Sequence, residues 1–286
     1  MTEYREPGWE TPSTSSRRAV WSAPTGPVTQ PSPTKPRAVP PAPPVASPAR
    51  RTGFVGGLRR CVRIAAWTVV LFCGAMIALV IAYRWVAPPT STLILAQRLT
   101  GTRIERAWRP LTAISPHLAR AVIMSEDAGF CGHRGVDFDE LERAYERGIE
   151  GGNSGGASTI AMQVTKNLFL WPSKSYVRKA IEIPLTLAAD RWWGKRRTLE
   201  IYLNVVEWGP GIFGAEAAAR AYFHKPALEL TEAEAALMAV ALPSPLARNP
   251  AKPSERQKRM AGVVQGRMKA AARNVRCLAQ VGQIDQ

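Results

Sequence analysis

Residues 64–83 read IAAWTVVLFCGAMIALVIAY, twenty positions without a charge. As an α-helix this run would be about 30 Å long, the thickness of a bilayer's hydrocarbon core. Arg50, Arg51, Arg59, Arg60 and Arg63 precede it. Trp67 stands near one end, and Tyr83 and Trp85 near the other, where aromatic rings anchor a helix in the interface. The arginines put the N-terminal side in the cytoplasm and the residues after about 85 outside it. A buried helix of a soluble protein and a cleaved signal peptide are the competing readings. The second fits poorly, because the run is long and lies far from the N-terminus. Pro88-Pro89 ends the helix. The chain thereby divides into a tail over 1–60, a transmembrane helix with its flanks over 61–87, and an extracytoplasmic domain over 88–286.

Working outward, residues 1–50 are rich in Pro, Ser, Thr and Arg and show no periodicity. Such a segment buries too little apolar surface to offset chain entropy, so the tail is expected to be disordered. The whole chain has 286 residues and a net charge of +16. A basic balance suits anionic partners, whether nucleic acid, anionic lipid or a phosphate-bearing substrate, and does not choose among them. The four cysteines, Cys61, Cys73, Cys131 and Cys277, match no zinc spacing. Cys131 and Cys277 are the pair beyond the membrane segment. A bridge between them is open in an oxidising compartment, and spacing alone does not decide it.

Past residue 93 the pattern is helical. Ser115-Pro116 opens a helix that runs into Glu126-Asp127, with Ser as N-cap and Pro in the first turn. Asp137 to Ile149 is a second helix, with Asp137 and Glu140 spaced like a capping box. The glycine-rich loop 151–156 leads into a third, from Ser158 to about Leu170. Tyr176 to Trp193 is helical, with a kink or break expected at Pro184. Thr198 to Val206 is amphipathic. Glu216 to Phe223 forms another helix. Thr231 and Glu234 form a capping box before an Ala-rich helix that stops ahead of Pro243. The domain is therefore expected to be mainly α.

Several residues could carry chemistry. Glu126-Asp127 lies at a helix C-terminus, facing the negative end of the dipole, where partial burial would raise a carboxyl toward a general base's range. The Ser158-Thr159 helix start presents free N–H groups that suit an anion. The loop before it matches neither the P-loop nor the dinucleotide fingerprint. Lys166, Arg178, Lys179, Lys195, Arg196 and Arg197 could bind phosphates. Glu182 shares a helix face with Arg178 and Lys179, where a simple ion pair explains it equally well. Asp137-Phe138-Asp139 fits helix capping better than an acidic metal motif. His117, His133 and His224 form no zinc pattern, so no metal ligand is assigned.

Taken in order, these pieces resemble the peptidoglycan glycosyltransferases, glycosyltransferase family 51. Residues 126–137, EDAGFCGHRGVD, are similar to the family's first signature. Residues 155–163 read GGASTIAMQ, 178–182 read RKAIE, 196–209 contain RRTLEIYLNVVEWG, 211–226 read GIFGAEAAARAYFHKP and 231–245 read TEAEAALMAVALPSP. All have family counterparts over roughly 95–265. Met162 stands where the family usually has the first of two glutamines. No Lys-Thr-Gly occurs, and transpeptidation is not expected. Within the family the likeness is to the monofunctional biosynthetic transglycosylases.

That resemblance implies a mainly α, lysozyme-like glycosyltransferase domain after a single transmembrane helix, on the outer side of a bacterial cytoplasmic membrane. It implies polymerisation of a lipid-linked disaccharide-pentapeptide, lipid II, into β-1,4 glycan strands with inversion and release of polyprenyl diphosphate. Glu126 is the implied base, and Glu182 the second important carboxylate. Asp127, Phe130 and His133 are implied to shape the substrate site. Ser158, Thr159, Gln163, Lys166, Arg178 and Lys179 are implied to hold the diphosphate. No cofactor is obligatory, although a divalent cation, magnesium or manganese, has a place at the diphosphate. Partners are the lipid substrate, the growing strand and membrane lipids, with other wall-synthesis or division proteins as further candidates and no nucleic acid. Leu168, Phe169, Leu170, Trp171, Trp192 and Trp193 are candidates for dipping into the bilayer, with core packing the better reading for Leu168. A membrane-bound glycan hydrolase, a wall scaffold and a nucleic-acid binder are the alternative readings of the chain.

Overall fold

All of the apolar run but its last residue, Tyr83, lies within α1, Thr52–Ala82, in a computed structural model that describes residues 52–149, 156–173, 175–270 and 275–278, with Ser22 and Gly26. The rest of the predicted tail and loop 151–155 lie outside the described residues. Phe54–Gln286 clusters as one unit. Gly57–Ala82 has a mean hydropathy of 2.6 and is long and apolar enough to cross a membrane. Val69, Leu71, Phe72 and Ile77 on it are uncovered by the rest of the protein. The end of α1 is pinned to the domain. The Trp193 indole N–H donates to the Val80 carbonyl at 2.7 Å, and Arg197 donates to the carbonyls of Tyr83 at 2.8 Å and Val86 at 2.7 Å. These donors serve carbonyls that a helix end leaves unpaired.

Eight further helices follow among the described residues: α2 (Thr92–Leu99), α3 (Pro116–Glu126), α4 (Phe138–Ile149), α5 (Ile160–Phe169), α6 (Tyr176–Val205), α7 (Ala215–Phe223), α8 (Glu232–Ala241) and α9 (Glu255–Lys269). Three short strands, β1 (Glu105–Arg106), β2 (Glu207–Gly209) and β3 (Ile212–Phe213), form a sheet in the order β1-β3-β2. β1 runs parallel to β3, and β2 antiparallel to it. The domain is mainly α, as the periodicity predicts.

Local signals place most helix ends. Thr231 and Glu234 form the predicted capping box at α8. Ser115 precedes α3, but its hydroxyl donates to the Leu230 carbonyl at 2.8 Å instead of capping the helix. Asp137 accepts from the Glu140 N–H at 2.9 Å, while the Glu140 carboxylate turns to Arg143 and Arg147. The predicted capping box at α4 is therefore only half formed. The break expected at Pro184 does not occur there, and α6 runs on to Gly194, whose φ of 70° interrupts it. Ala180 and Pro184 are both exposed, so water can serve the carbonyl that the proline leaves without a donor.

The core lies where α3 packs on α8 and α9, and where α5 packs on α6. Ala235, Ala236 and Ala239 on α8 are fully buried and small enough to let α3 approach with its Leu118, Val122 and Ile123. Tyr202 and Leu203 of α6 close the centre. Gly135 sits at φ 82°, and a side chain there would meet the Asp190 Cβ at 2.9 Å, so the segment after α3 can lie directly on α6. Cys131 of that segment is disulfide-bonded to Cys277, with Cα atoms 5.6 Å apart, which decides the pairing that spacing left open. Val275 and Leu278 beside Cys277 are buried. Cys61 and Cys73 are free and exposed on α1.

Candidate active site

Glu126 is the last residue of α3 and lines a cavity of about 480 Å³ with Ser125, Asp137, Ser158 and Arg267. Burial pushes its carboxyl above its ordinary value. A hydrogen bond from Gln163 and the charge of Arg248 work the other way. Gln163 Nε2 donates to Glu126 at 3.0 Å, and its carbonyl accepts from the buried Tyr202 hydroxyl at 3.2 Å. The amide is thereby oriented from both ends, which fixes the carboxylate it holds.

Asp127 also lines this cavity, with its carboxylate engaged by the protein. It is buried, and one oxygen accepts from the Ile160 N–H at 3.0 Å. His133 Nε2 lies 2.9 Å from the other. The Thr159 side chain accepts from the Met162 N–H at 3.2 Å and donates to the Gly135 carbonyl. The helix starts at Ile160, not at Ser158, and its first donors are already engaged. At this helix start the Ile160 N–H is taken by the Asp127 carboxylate and the Met162 N–H by the Thr159 hydroxyl, while Ser158 stays exposed. Phe130 is fully buried, with Lys195 Nζ 5.0 Å from its ring centroid. Asp127 and Thr159 thus line the Glu126 cavity and brace it at once, and Phe130 and His133 back that wall.

The cationic set gathers around a second cavity and reaches the first through Lys179. Lys166 and Arg178 line this second cavity, of about 410 Å³, with Thr92, Asn167 and Ser173. Glu182 is buried and holds both Arg178 and Lys179, the latter at 3.3 Å. Lys179 also reaches Ser158 Oγ at 3.4 Å, so exposed Ser158 joins this group. Burial lowers the Lys166 ammonium's pKa; Glu182 acts against that, while Arg178 and Lys179 add to it. Lys166 and Glu126 each feel the other's charge, which links the two cavities. Met162, in the place of the usual glutamine, is fully buried with its sulfur 3.8 Å from Lys179 Nζ.

Among the described residues no group of three or more His, Cys, Asp or Glu converges as metal ligands. Both Glu182 oxygens are occupied by cationic side chains, a poor fit for a cation ligand. Of the residues expected to dip into a bilayer, Leu168, Leu170 and Trp193 are buried. Phe169 packs against Tyr83 and Trp193. Trp171 and Trp192 stay exposed, with Leu95, Leu99 and Tyr176. Two parts of the site escaped the sequence reading, Tyr202 and Arg248. Tyr202 sits on the predicted amphipathic face of α6, and nothing local marks Arg248.

Comparison with known proteins gives the chain's family. A family model described as Transglycosylase matches residues 93–269. The chain is 46% identical over 220 residues to a biosynthetic peptidoglycan transglycosylase of Rhodospirillum centenum, covering 76% of this chain and 93% of the relative. It is 48% identical over 190 residues to one of Agrobacterium fabrum, covering 66% and 84%. One of Caulobacter vibrioides is 45% identical over 202 residues, covering 71% and 87%.

Proposed function

This chain belongs to the transglycosylase family and is a peptidoglycan transglycosylase, and we propose that it extends glycan strands from a lipid-linked disaccharide-pentapeptide. The acceptor's sugar 4-hydroxyl enters the Glu126 cavity. As its oxygen bonds to the donor's anomeric carbon, the proton passes to the Glu126 carboxylate. The bond from that carbon to the diphosphate breaks on the opposite face, and the electron pair leaves with the diphosphate. Attack opposite the leaving group inverts the centre to a β-1,4 link. The leaving group is already a stable anion, so it needs charge stabilisation more than a proton. Lys166, Arg178 and Lys179 supply that charge, and Glu182 positions the last two. Any divalent cation would be held by the diphosphate's own oxygens, and no step here depends on it.

The observation that carries this reading is the pairing of a carboxyl raised by burial in one cavity with a cluster of cations around a second, neighbouring one. A hydrolase would need a group to protonate a leaving sugar oxygen, and a diphosphate leaving group removes that need. We place the domain outside the cytoplasmic membrane, α1 spanning it and the tail inside. The arginines before α1 and the Cys131–Cys277 disulfide, which suits an oxidising compartment, both favour that orientation. Exposed Trp171 and Trp192 suit contact with the bilayer carrying the substrate.

The test is polymer formation by detergent-solubilised protein from labelled lipid-linked disaccharide-pentapeptide. Wild type is expected to make long strands, and Glu126→Gln to lose at least about a hundredfold in kcat while staying folded. Cleavage of purified sacculi without polymer formation would sink the reading.

A further inference from the structure

The two cavities are unequal in charge. The second is lined by Lys166 and Arg178 and no carboxylate. The one containing Glu126 is also lined by Asp127, Asp137 and Glu140, and the cations among its own lining residues are Arg143 and Arg267, with Arg248 and Lys166 acting on Glu126 from outside that lining. Arg143 is already paired with Glu140 at 3.1 Å. Arg267, in the last turn of α9, is exposed and has no ion-pair partner among the described residues. Its neighbours Val264 and Met268 are buried, so the backbone that presents it is fixed while its guanidinium is free.

An acceptor placed in this cavity, on the reading proposed above, brings negative charge of its own: its diphosphate and the carboxylates of its peptide. Carboxylates along the wall repel such a ligand. A free guanidinium at the rim offsets that repulsion and can hold a carboxylate or phosphate oxygen pair with two parallel N–H bonds. We propose that Arg267 is a substrate-binding residue that takes an anionic group of the acceptor and so directs its sugar hydroxyl to Glu126. The assignment separates the two substrates by charge: the donor's diphosphate goes to the Lys166 and Arg178 cavity, and the acceptor's anion goes to α9.

The test uses full-length protein, a preformed strand on polyprenyl diphosphate at saturation as donor, and varied lipid-linked disaccharide-pentapeptide as acceptor. Arg267→Gln is expected to raise the acceptor KM about tenfold or more with kcat within about twofold, and Arg267→Lys to recover part of the loss. Arg256→Gln, an exposed change on the same helix, leaves both unchanged. An acceptor whose peptide carboxylates are amidated distinguishes the sources. If wild type loses affinity for it and Arg267→Gln loses nothing more, the anion is the peptide carboxylate. If Arg267→Gln costs the same with either acceptor, it is the diphosphate. An unchanged KM overturns the proposal. So does a lower melting temperature with KM intact, because Arg267 would then only complement the α9 dipole. Wild type that makes no polymer overturns the transglycosylation reading itself, and the inference with it.

Discussion

At the scale of single residues, Glu126 is governed by its burial and by Gln163. The carboxyl must be ionised to take a proton, so the rate falls as pH drops through its raised pKa. Gln163→Met removes the donor that lowers that pKa, and the acid limb of kcat is expected to move to higher pH. An unmoved limb would mean that Gln163 does not hold the reacting form. The same shift has a consequence for stability. A carboxyl whose pKa is higher folded than unfolded binds its proton better in the folded state, so stability declines as pH rises through that range. Glu126→Gln should therefore melt no lower than wild type at neutral pH, which a thermal scan checks. Lys166 sets the other limb. Burial lowers its pKa, so diphosphate binding is expected to weaken at a pH below the ordinary lysine range. Lys166→Arg should push that limb in kcat/KM to higher pH, since guanidinium does not titrate there. Glu126 and Lys166 were legible in the sequence because their motifs are local. The chain of bonds from Tyr202 through Gln163 was not, because 39 residues separate its members.

At the scale of elements, the site is a junction between the end of α3 and the start of α5. One side chain, Asp127, makes it: its oxygens receive the first N–H of α5 and the His133 ring. Asp127→Ala would leave a buried N–H and an imidazole without partners. A loss of about 2–4 kcal/mol is expected from urea unfolding, with kcat falling as Glu126 loses its mounting. Full stability with reduced activity would instead assign Asp127 a direct part in the chemistry. The helix start at Ser158-Thr159 draws on the protein itself: the Ile160 N–H goes to the Asp127 carboxylate and the Met162 N–H to the Thr159 hydroxyl. Pro184 is where sequence reasoning misleads. Its missing hydrogen bond matters only where water cannot reach, and that face of α6 is exposed.

At the scale of the whole molecule, the Cys131–Cys277 bond closes a loop with a sequence separation of 146 and ties the segment behind Glu126 to residues past the end of the matched family region. Cys277→Ser is expected to lower stability by about 2–5 kcal/mol. Alkylation of unreduced protein from intact cells should label Cys61 or Cys73 and spare Cys131 and Cys277; labelling of the latter pair would place the domain in a reducing compartment. Read alone, the sequence determined the membrane-length helix, the succession of helices, the capping box of α8 and the ordered motifs that carry the family. Each of these is written in periodicity, caps or contiguous residues. Tertiary structure decided that Asp127, beside Glu126, is buried as a strut between the His133 ring and the start of α5. It also decided that Trp193 belongs to the core, and that Cys131 meets Cys277. Those outcomes depend on the proximity of residues far apart in the chain, and proximity is set by how the helices pack.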